Sequence, residues 1–274
     1  MKNKLYLECY SGISGDMTVA ALIDLGADKE ALSEALSSLP VSGFKTEISR
    51  VKKSGIDSCD FNVILDDDHK NYDHDMDYLY NTHHHHHEHN HNHHHEHRNF
   101  KDILEIIDNS KLTDRAKNIA TDIFTTLAKA EAKAHGTDID NVHFHEVGAV
   151  DSIVDIISIA FCIDNLNISD VIVSELYEGT GTVRCQHGIL PVPVPAVLNI
   201  AADNNIKLHI TDCKGEYVTP TGAAAVAVLK THSHLPKSFT IKKIGIGAGK
   251  REQEMSGILR ATVSYTHLTL PTIA

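Results

Sequence analysis

The sequence predicts an α/β fold, or an α+β fold, in which helices flank a mixed β-sheet. Segments with apolar residues at helical spacing alternate with short runs of residues that favour strands, and no internal repeat is evident. The chain has 274 residues, of which 42% are hydrophobic and 23% charged, so it can bury a sizeable core. A His-rich stretch interrupts this pattern.

The first part of the chain begins with a strand and then alternates between helix and strand. Residues 5–10 favour a strand, and the loop over 11–15 leads into a helix over 16–25. Asp16 suits the first turn of that helix, and Gly26 is a stop signal. The other elements predicted before residue 66 are a helix over 29–38 and strands over 44–51 and 59–65.

The later part of the chain is helical at first and then mixed. Leu112, Ile119 and Leu127 lie on one apolar stripe of a helix predicted over 113–134. The proline-rich run over 191–195 can only be a sheet edge or a polyproline segment. The other predicted elements are helices over 100–108, 151–165 and 222–230 and strands over 171–176, 241–246 and 258–263.

The His-rich stretch is the most unusual feature of the sequence, since eleven of the 21 His residues lie between positions 83 and 97. It has no apolar periodicity, so we interpret residues 66–98 as a disordered insertion in a single α/β domain formed by 1–65 and 99–263. Imidazole suits Ni, Cu, Zn and Co, so the composition favours metal capture over a cloning tag without indicating which metal. The predicted metal-binding residues of this tract are His83, His84, His85, His86, His87, His89, His91, His93, His94, His95 and His97.

Charge and cysteine usage exclude several classes of protein. The net charge of −12 argues against a protein that binds nucleic acid, since neutralising phosphates requires a basic surface. No stretch approaches about 18 consecutive apolar residues, so we expect no membrane helix, and no signal-peptide pattern follows the N-terminus. Five scattered cysteines without a CxxC pair favour a reducing cytoplasm.

A second cluster of chemistry-bearing residues follows the long predicted helix. His143 and His145 project from one face if their segment is extended, and Asp151 and Asp155 share a helix face. Together with Glu146, these groups suit a divalent cation or acid/base work. The alternative is that both imidazoles are satisfied by backbone hydrogen bonds and that Asp151 only caps the helix.

Three glycine-rich turns are candidates for binding a phosphate. The turns over 12–16 and 215–222 each lead into a helix N-terminus, where free N–H groups and the dipole attract anions. The first lacks the Lys and Ser/Thr of a P-loop, and the third, over 245–250, lacks the dinucleotide fingerprint. Arg184 can clamp a phosphate or carboxylate by its planar fork, whereas a lone His such as His187 is more often structural.

Five segments carry a more specific signal than any single motif. They are SGISGDM (11–17), VHFHEVGAVDSIVDI (142–156), EGTGTVRCQHGILPVPVPA (178–196), GEYVTPTGAA (215–224) and GIGAGKRE (245–252). Taken together and in order, they resemble the LarC family, the nickel-insertion proteins of nickel-pincer cofactor biosynthesis. The His tract fits this family, whose members commonly carry one here, whereas Glu8 stands where members usually have Asp.

The resemblance implies that the protein binds Ni(II) and inserts it into pyridinium-3,5-bisthiocarboxylic acid mononucleotide, forming two Ni–S bonds and one Ni–C bond. The reaction class is that of a chelatase-type lyase, EC 4.99.1, and the product is the nickel-pincer cofactor of lactate racemase-type enzymes. Transfer to such an apoenzyme is a further expectation, and a homo-oligomer is compatible with the resemblance.

The resemblance also implies a part that is not in this chain. Family members use CTP with Mg(II) or Mn(II), bound in a C-terminal domain that we expect to be missing here. Residues 264–274 do not resemble the family. Inactivity of this chain alone would therefore not contradict the assignment.

We expect the folded-domain site to form where these segments converge in one pocket. The predicted catalytic residues are Asp16, His143, His145, Glu146 and Asp151, and the predicted metal ligands outside the tract are His143, His145 and His187. The predicted nucleotide-binding residues are Ser14, Gly15, Arg184, Thr219 and Thr221. The alternative function is nickel storage or delivery without catalysis, which the tract favours and the five segments oppose.

Overall fold

The computed structural model describes residues 3–66, 98–142, 150–185, 187–232 and 235–265. The predicted metal-binding tract over 83–97 lies outside these ranges, as do His143, His145 and Glu146. Of the segment 264–274, only Ser264 and Tyr265 are described, and they continue a strand.

The described ranges contain helices and strands in mixed order. The strands are β1 (Asn3–Glu8), β2 (Phe44–Lys53), β3 (Ile56–Leu65), β4 (Ile168–Val173), β5 (Leu176–Thr180), β6 (Thr182–Cys185), β7 (Gly188–Pro191), β8 (Leu208–Lys214), β9 (Thr240–Ala248) and β10 (Ile258–Tyr265). The α-helices are α1 (Gly15–Asp24), α2 (Lys29–Ser37), α3 (Phe100–Asp108), α4 (Asp114–His135), α5 (Val150–Asn165), α6 (Pro195–Asp203) and α7 (Pro220–Leu229). A 3₁₀ helix covers Ile139–Asn141.

A mixed six-stranded sheet forms the centre of the fold, with the strand order β2-β3-β9-β10-β1-β4. β1 pairs in parallel with β4 and antiparallel with β10, and β9 is antiparallel to β10. Two smaller pairs, β5 with β8 and β6 with β7, lie outside this sheet. The predicted fold class, a mixed sheet with flanking helices, is therefore confirmed.

Helices whose ends are marked by local signals lie where the sequence predicts them. α3 has the predicted bounds, and its first turn is closed by a capping box in which Asn99 and Asp102 exchange hydrogen bonds with each other's backbone N–H groups. α4 begins after the N-cap Thr113 and ends at Gly136, which adopts the left-handed conformation with φ of +63°.

Two predictions after residue 170 are wrong in their bounds. The strand predicted over 171–176 is two strands, because β4 ends at Val173 and β5 begins at Leu176. Pro195, predicted as the end of a sheet edge or polyproline run, is instead the first residue of α6, a position that suits proline because its missing N–H is not needed there.

The glycine-rich turn predicted over 245–250 lies mainly in a strand that packs against a helix. A Cβ on Gly245 would lie 2.2 Å from the carbonyl oxygen of Ala21, and one on Gly247 would lie 2.1 Å from that of Met17. α1 can therefore approach β9 only because these side chains are absent. These two glycines serve helix packing, not a phosphate.

One cluster of buried hydrophobic residues joins the segments on both sides of residues 67–97. It includes Leu5 in β1, Phe61 in β3, Phe124 in α4 and Val226 in α7, each at most 1% exposed. α4 packs against α5, α6 and α7, and α5 also contacts α1. Within the described ranges, no helix is long and apolar enough to cross a membrane.

We expect Gly247→Ala to lower the free energy of unfolding by about 3 kcal/mol, because the added Cβ would collide with the backbone of α1. Urea unfolding measures this loss. Gly55→Ala is the matched control: a Cβ there has no neighbour within 4 Å, and its φ of +80° should cost only about 1–2 kcal/mol. Equal losses in the two variants would contradict a packing role for Gly247.

Candidate functional site

The site is organised by direct backbone contact between two of the predicted glycine-rich turns. The Ile13 N–H donates to the Tyr217 carbonyl at 2.9 Å, and the Thr219 N–H donates to the Ile13 carbonyl at 3.0 Å. Gly12 has φ of +83°, and a Cβ there would lie 2.0 Å from the Tyr217 oxygen. The N-termini of α1 and α7 therefore lie side by side.

A cavity of about 770 Å³ opens at these two helix N-termini. Its wall contains residues from the first turns, or the residues just before them, of four helices: 14–17 of α1, 151–152 of α5, 194–196 of α6 and 219–221 of α7. Each helix N-terminus carries a partial positive charge and backbone N–H groups without helical partners. This arrangement favours an anionic group in the cavity.

All eight predicted site residues that the structure describes meet in this cavity. The wall includes Ser14, Gly15, Asp16, Asp151, Arg184, His187, Thr219 and Thr221. These residues come from parts of the sequence up to 207 positions apart, from 14 to 221. The predicted roles of His143, His145 and Glu146 stay predictions, because these residues lie outside the described ranges.

A group of carboxylates lines the floor of the cavity: Asp16, Asp151 and Asp155. Ser14 Oγ donates to Asp16 Oδ1. Asp155 fits against Gly15 so closely that a Cβ on that glycine would lie 2.4 Å from Asp155 Oδ2. The sequence places Asp155 with Asp151 on one helix face, in the group that suits a cation or acid/base work, but not among the predicted catalytic residues.

The surroundings of Asp155 disfavour its charged form. Its Oδ1 is buried and has no hydrogen-bond partner among the described residues. Burial raises the pKa of Asp155 well above its ordinary value, and repulsion from Asp16 and Asp151 raises that pKa further. Asp155 is therefore suited to hold a proton or to face a cation.

The two threonines of the 215–222 turn have different surroundings. Thr219 is the N-cap of α7, and its Oγ1 accepts the N–H of Gly222 at 3.2 Å. Thr221 is 8% exposed at the cavity wall. One of the two hydroxyls predicted to bind a phosphate thus already caps the helix.

Basic side chains form another part of the wall. Arg184 comes from β6, and Lys250 and Arg251 follow β9. Lys250 pairs with Asp60 at 2.5 Å, and Arg251 donates to Glu216 at 2.8 Å. Sequence reasoning missed Lys250 and Arg251, although they lie in the GIGAGKRE segment.

Two imidazoles meet at a third part of the wall. His135, at the C-terminal end of α4, and His187, between β6 and β7, have ring centroids 4.8 Å apart. His135 Nε2 lies 3.6 Å from Glu131 Oε2, and His187 Nδ1 lies 4.0 Å from Cys185 Sγ. Sequence reasoning identified His187 alone, since no motif connects it with His135.

A complete set of metal ligands is not present in the part of the chain that the structure describes. Among those residues, no group of three or more His, Cys, Asp or Glu side chains is arranged to hold a metal ion.

Glu8, the departure from the family pattern noted in the sequence, receives two hydrogen bonds from Arg260, one of them at 2.9 Å from Nε.

The family of this chain follows from comparison with known proteins. The sequence pattern of the family described as "Nickel insertion protein" matches residues 5–272. This chain belongs to the nickel insertion protein family. The match includes most of residues 264–274.

Curated relatives in this family are similar over nearly the whole chain. A protein of Alkaliphilus metalliredigens is 57% identical over 272 residues, which cover 99% of this chain and 62% of the relative. Proteins of Acetivibrio thermocellus and Clostridium acetobutylicum are 40% and 47% identical over 93% of this chain. All three are named pyridinium-3,5-bisthiocarboxylic acid mononucleotide nickel insertion protein.

This family member spans about 60% of the length of the curated relatives it matches, since it covers 62%, 59% and 62% of these three. No solved structure shows a significant match to the chain.

Glu178 holds the 215–222 turn in place from the side opposite Ile13. Glu178 is fully buried, and its Oε1 accepts the N–H groups of Gly179 at 2.8 Å, Tyr217 at 2.7 Å and Val218 at 3.3 Å. Burial is the main cause that raises the pKa of Glu178 to about 7, and Glu216 contributes repulsion. The three N–H groups oppose this rise because they stabilise the carboxylate.

We expect part of the protein's stability to be lost as the pH rises from about 4.5 to about 7. The folded state holds the Glu178 proton with a pKa of about 7, whereas the unfolded chain releases it near its ordinary value of 4.5. Glu178→Gln keeps an oxygen acceptor and removes the titration. Its Tm should therefore rise relative to that of the parent across this interval.

Thermal unfolding followed by circular dichroism at several pH values measures the effect. Glu175→Gln is the control, since Glu175 is half-exposed and pairs with Lys207 only at 3.6 Å. A constant Tm difference between Glu178→Gln and the parent would contradict the prediction.

Proposed function

We propose that this chain carries the part of a nickel-inserting enzyme that binds Ni(II) and pyridinium-3,5-bisthiocarboxylic acid mononucleotide. The single observation that supports this most is the cavity in which helix N-termini, carboxylates and imidazoles meet, in a chain of the nickel insertion protein family. The product is the nickel-pincer cofactor of lactate racemase-type enzymes, which receive it as apoenzymes. In the longer proteins the reaction depends on CTP with Mg(II) or Mn(II).

The phosphate of the nucleotide binds, in this proposal, at the paired N-termini of α1 and α7. The Gly15 region and Thr221 offer backbone N–H groups at the positive ends of two helices. Arg184 adds a guanidinium on the same wall, which suits a phosphate because of its planar fork. Ser14 and Thr219 shape this end of the cavity.

The carboxylates take the proton that the reaction releases. When Ni(II) replaces hydrogen on a ring carbon, the C–H bond breaks, the Ni–C bond forms and one proton leaves, while nickel stays Ni(II). Asp155 in its carboxylate form is suited to accept this proton, because its raised pKa makes it a stronger base than an ordinary aspartate. Asp16 and Asp151 raise this pKa further by repulsion.

Nickel is a substrate here, and its donors are nitrogen and sulfur. Imidazole nitrogen binds Ni(II) well, and the thiocarboxylate sulfurs of the nucleotide are soft donors that complete the transfer. The proposed ligands are His187 of the cavity and His143 and His145, which precede α5 in the sequence. The tract over 83–97 supplies nickel, and its imidazoles bind the metal only when deprotonated.

We place the protein in the cytoplasm. All five cysteines lie within the described ranges and none forms a disulfide, which is the usual state in a reducing compartment. We also propose that the chain forms no complex with nucleic acid, given its net charge of −12.

The second candidate is a nickel storage or delivery protein without catalysis, which the eleven His residues of the tract favour. Replacing these residues by Ser separates the two functions. Storage predicts the loss of nearly all bound nickel. The enzyme predicts that fewer Ni(II) ions bind but that one ion is still bound in the folded domain.

The proposed reaction is tested by mass spectrometry of the nickel-containing nucleotide. A full-length relative is incubated with the bisthiocarboxylate nucleotide, NiCl₂, MgCl₂ and CTP. We expect the substitution that matches Asp155→Asn to lower the rate of product formation at least about 100-fold, the size typical of losing a general base. The substitution that matches Asp203→Asn is the control, because Asp203 is exposed and pairs with Lys133 away from the cavity.

No product from the full-length relative would refute the proposed reaction. Equal rates for the Asp155 and Asp203 substitutions would refute the role of Asp155. In both cases, binding of nucleotide and nickel is measured separately, so that a folding defect is recognised.

A further inference from the structure

We propose that His135 and His187 form a two-imidazole transfer site for Ni(II) on the wall of the cavity. This inference rests on the proposed function, since it names where Ni(II) binds before it is transferred to the nucleotide. His135 has no role in any motif of the sequence, and nothing in the family relationship assigns one to it.

The spacing of the two rings suits a shared metal ion. With a metal–nitrogen bond of about 2.1 Å, a ring centroid lies about 3.2 Å from the metal, so two ligands at a right angle have centroids about 4.5 Å apart. The observed separation of 4.8 Å is close to this value, and the rings are tilted by 40°. Ni(II) in a square-planar or octahedral site needs ligand pairs at such an angle.

Each ring also has a polar side chain nearby, and for His135 this is a carboxylate of the kind found around metal ligands. Histidines that bind metals almost always donate their other ring nitrogen to a carboxylate, a carbonyl or water, which fixes the ring. Glu131 lies one helical turn before His135 and contacts its Nε2 at 3.6 Å. Cys185, buried at the end of β6, contacts His187 Nδ1 at 4.0 Å.

The other histidines in the described ranges lack this arrangement. His209 stacks on Tyr177 with ring centroids 4.2 Å apart, and His232 pairs with Asp170 at 3.0 Å. Neither lines the cavity. His135 and His187 therefore differ from these two in facing each other at the wall of the site.

Two protein ligands suit transfer better than storage. The described residues include no third His, Cys, Asp or Glu placed to complete a metal site with them. Ni(II) held by two imidazoles keeps positions for water, which the sulfurs of the nucleotide can replace. The transfer exchanges Ni–N bonds for Ni–S bonds and changes no oxidation state.

The test measures Ni(II) affinity in the absence of nucleotide. The parent for this experiment is the full chain with the eleven His residues of the tract replaced by Ser, so that the tract does not mask the cavity. Isothermal titration with NiCl₂ should show one Ni(II) bound per chain. His135→Ala and His187→Ala should each weaken that binding at least about 10-fold.

Two further variants make the test specific. Glu131→Gln should weaken binding about 10-fold, the lower limit for losing a carboxylate that orients a ligand. His232→Ala is the matched control, an exposed histidine with its own carboxylate partner, and it should change the affinity less than twofold. His135→Gln replaces His135→Ala if thermal unfolding shows that the alanine variant has lost its fold.

Unchanged Ni(II) affinity in both the His135 and His187 variants would overturn the proposal. A loss of affinity in His232→Ala as large as in these variants would also overturn it, and so would a parent that binds no Ni(II). Because no nucleotide is present, these results do not depend on the insertion assay. A full-length relative that makes no product, while the two-histidine affinity is intact, would refute the proposed reaction alone.

Discussion

Two backbone hydrogen bonds made by Ile13 hold the site together. They join the turn before α1 to the segment before α7, which lies more than 200 residues later in the chain. Ile13 is fully buried, so water does not compete for these bonds. Glu178 fixes the same segment by accepting the N–H groups of Tyr217 and Val218. The positions of both helix N-termini, and hence the shape of the cavity, depend on these contacts.

The cavity brings positive and negative groups together on one wall. Positive helix ends and Arg184 lie on the same wall as Asp16, Asp151 and Asp155. A purely anionic ligand would be repelled by the carboxylates, and a lone cation by the helix ends. The proposed substrate, a nucleotide with a phosphate at one end and a bound metal at the other, would meet both conditions. This charge pattern links the geometry to the nickel chemistry of the family.

The buried carboxylates also show a conflict between stability and function. Asp155 is placed where its ionisation is unfavourable, and one of its oxygens has no hydrogen-bond partner in the described part of the chain. Such groups persist when the surrounding packing is strong enough to impose them. Here the packing comes from α1, whose Gly15 leaves space for the Asp155 side chain.

The sequence by itself determined the elements whose signals are local. The apolar stripe along α4 and the family segments could be recognised in single stretches of chain. α6 was missed because Pro195 favours several conformations, and only its packing against α4 and α7 selects a helix. Likewise, Asp16, Asp151 and His187 were recognisable by residue type, and the carboxylate of Asp155 was visible as a neighbour of Asp151. The tertiary structure alone decided that His135 faces His187 and that Lys250 and Arg251 reach the same cavity. Such contacts depend on how segments that are distant in sequence pack together, and this packing cannot be predicted from periodicity or spacing along the chain.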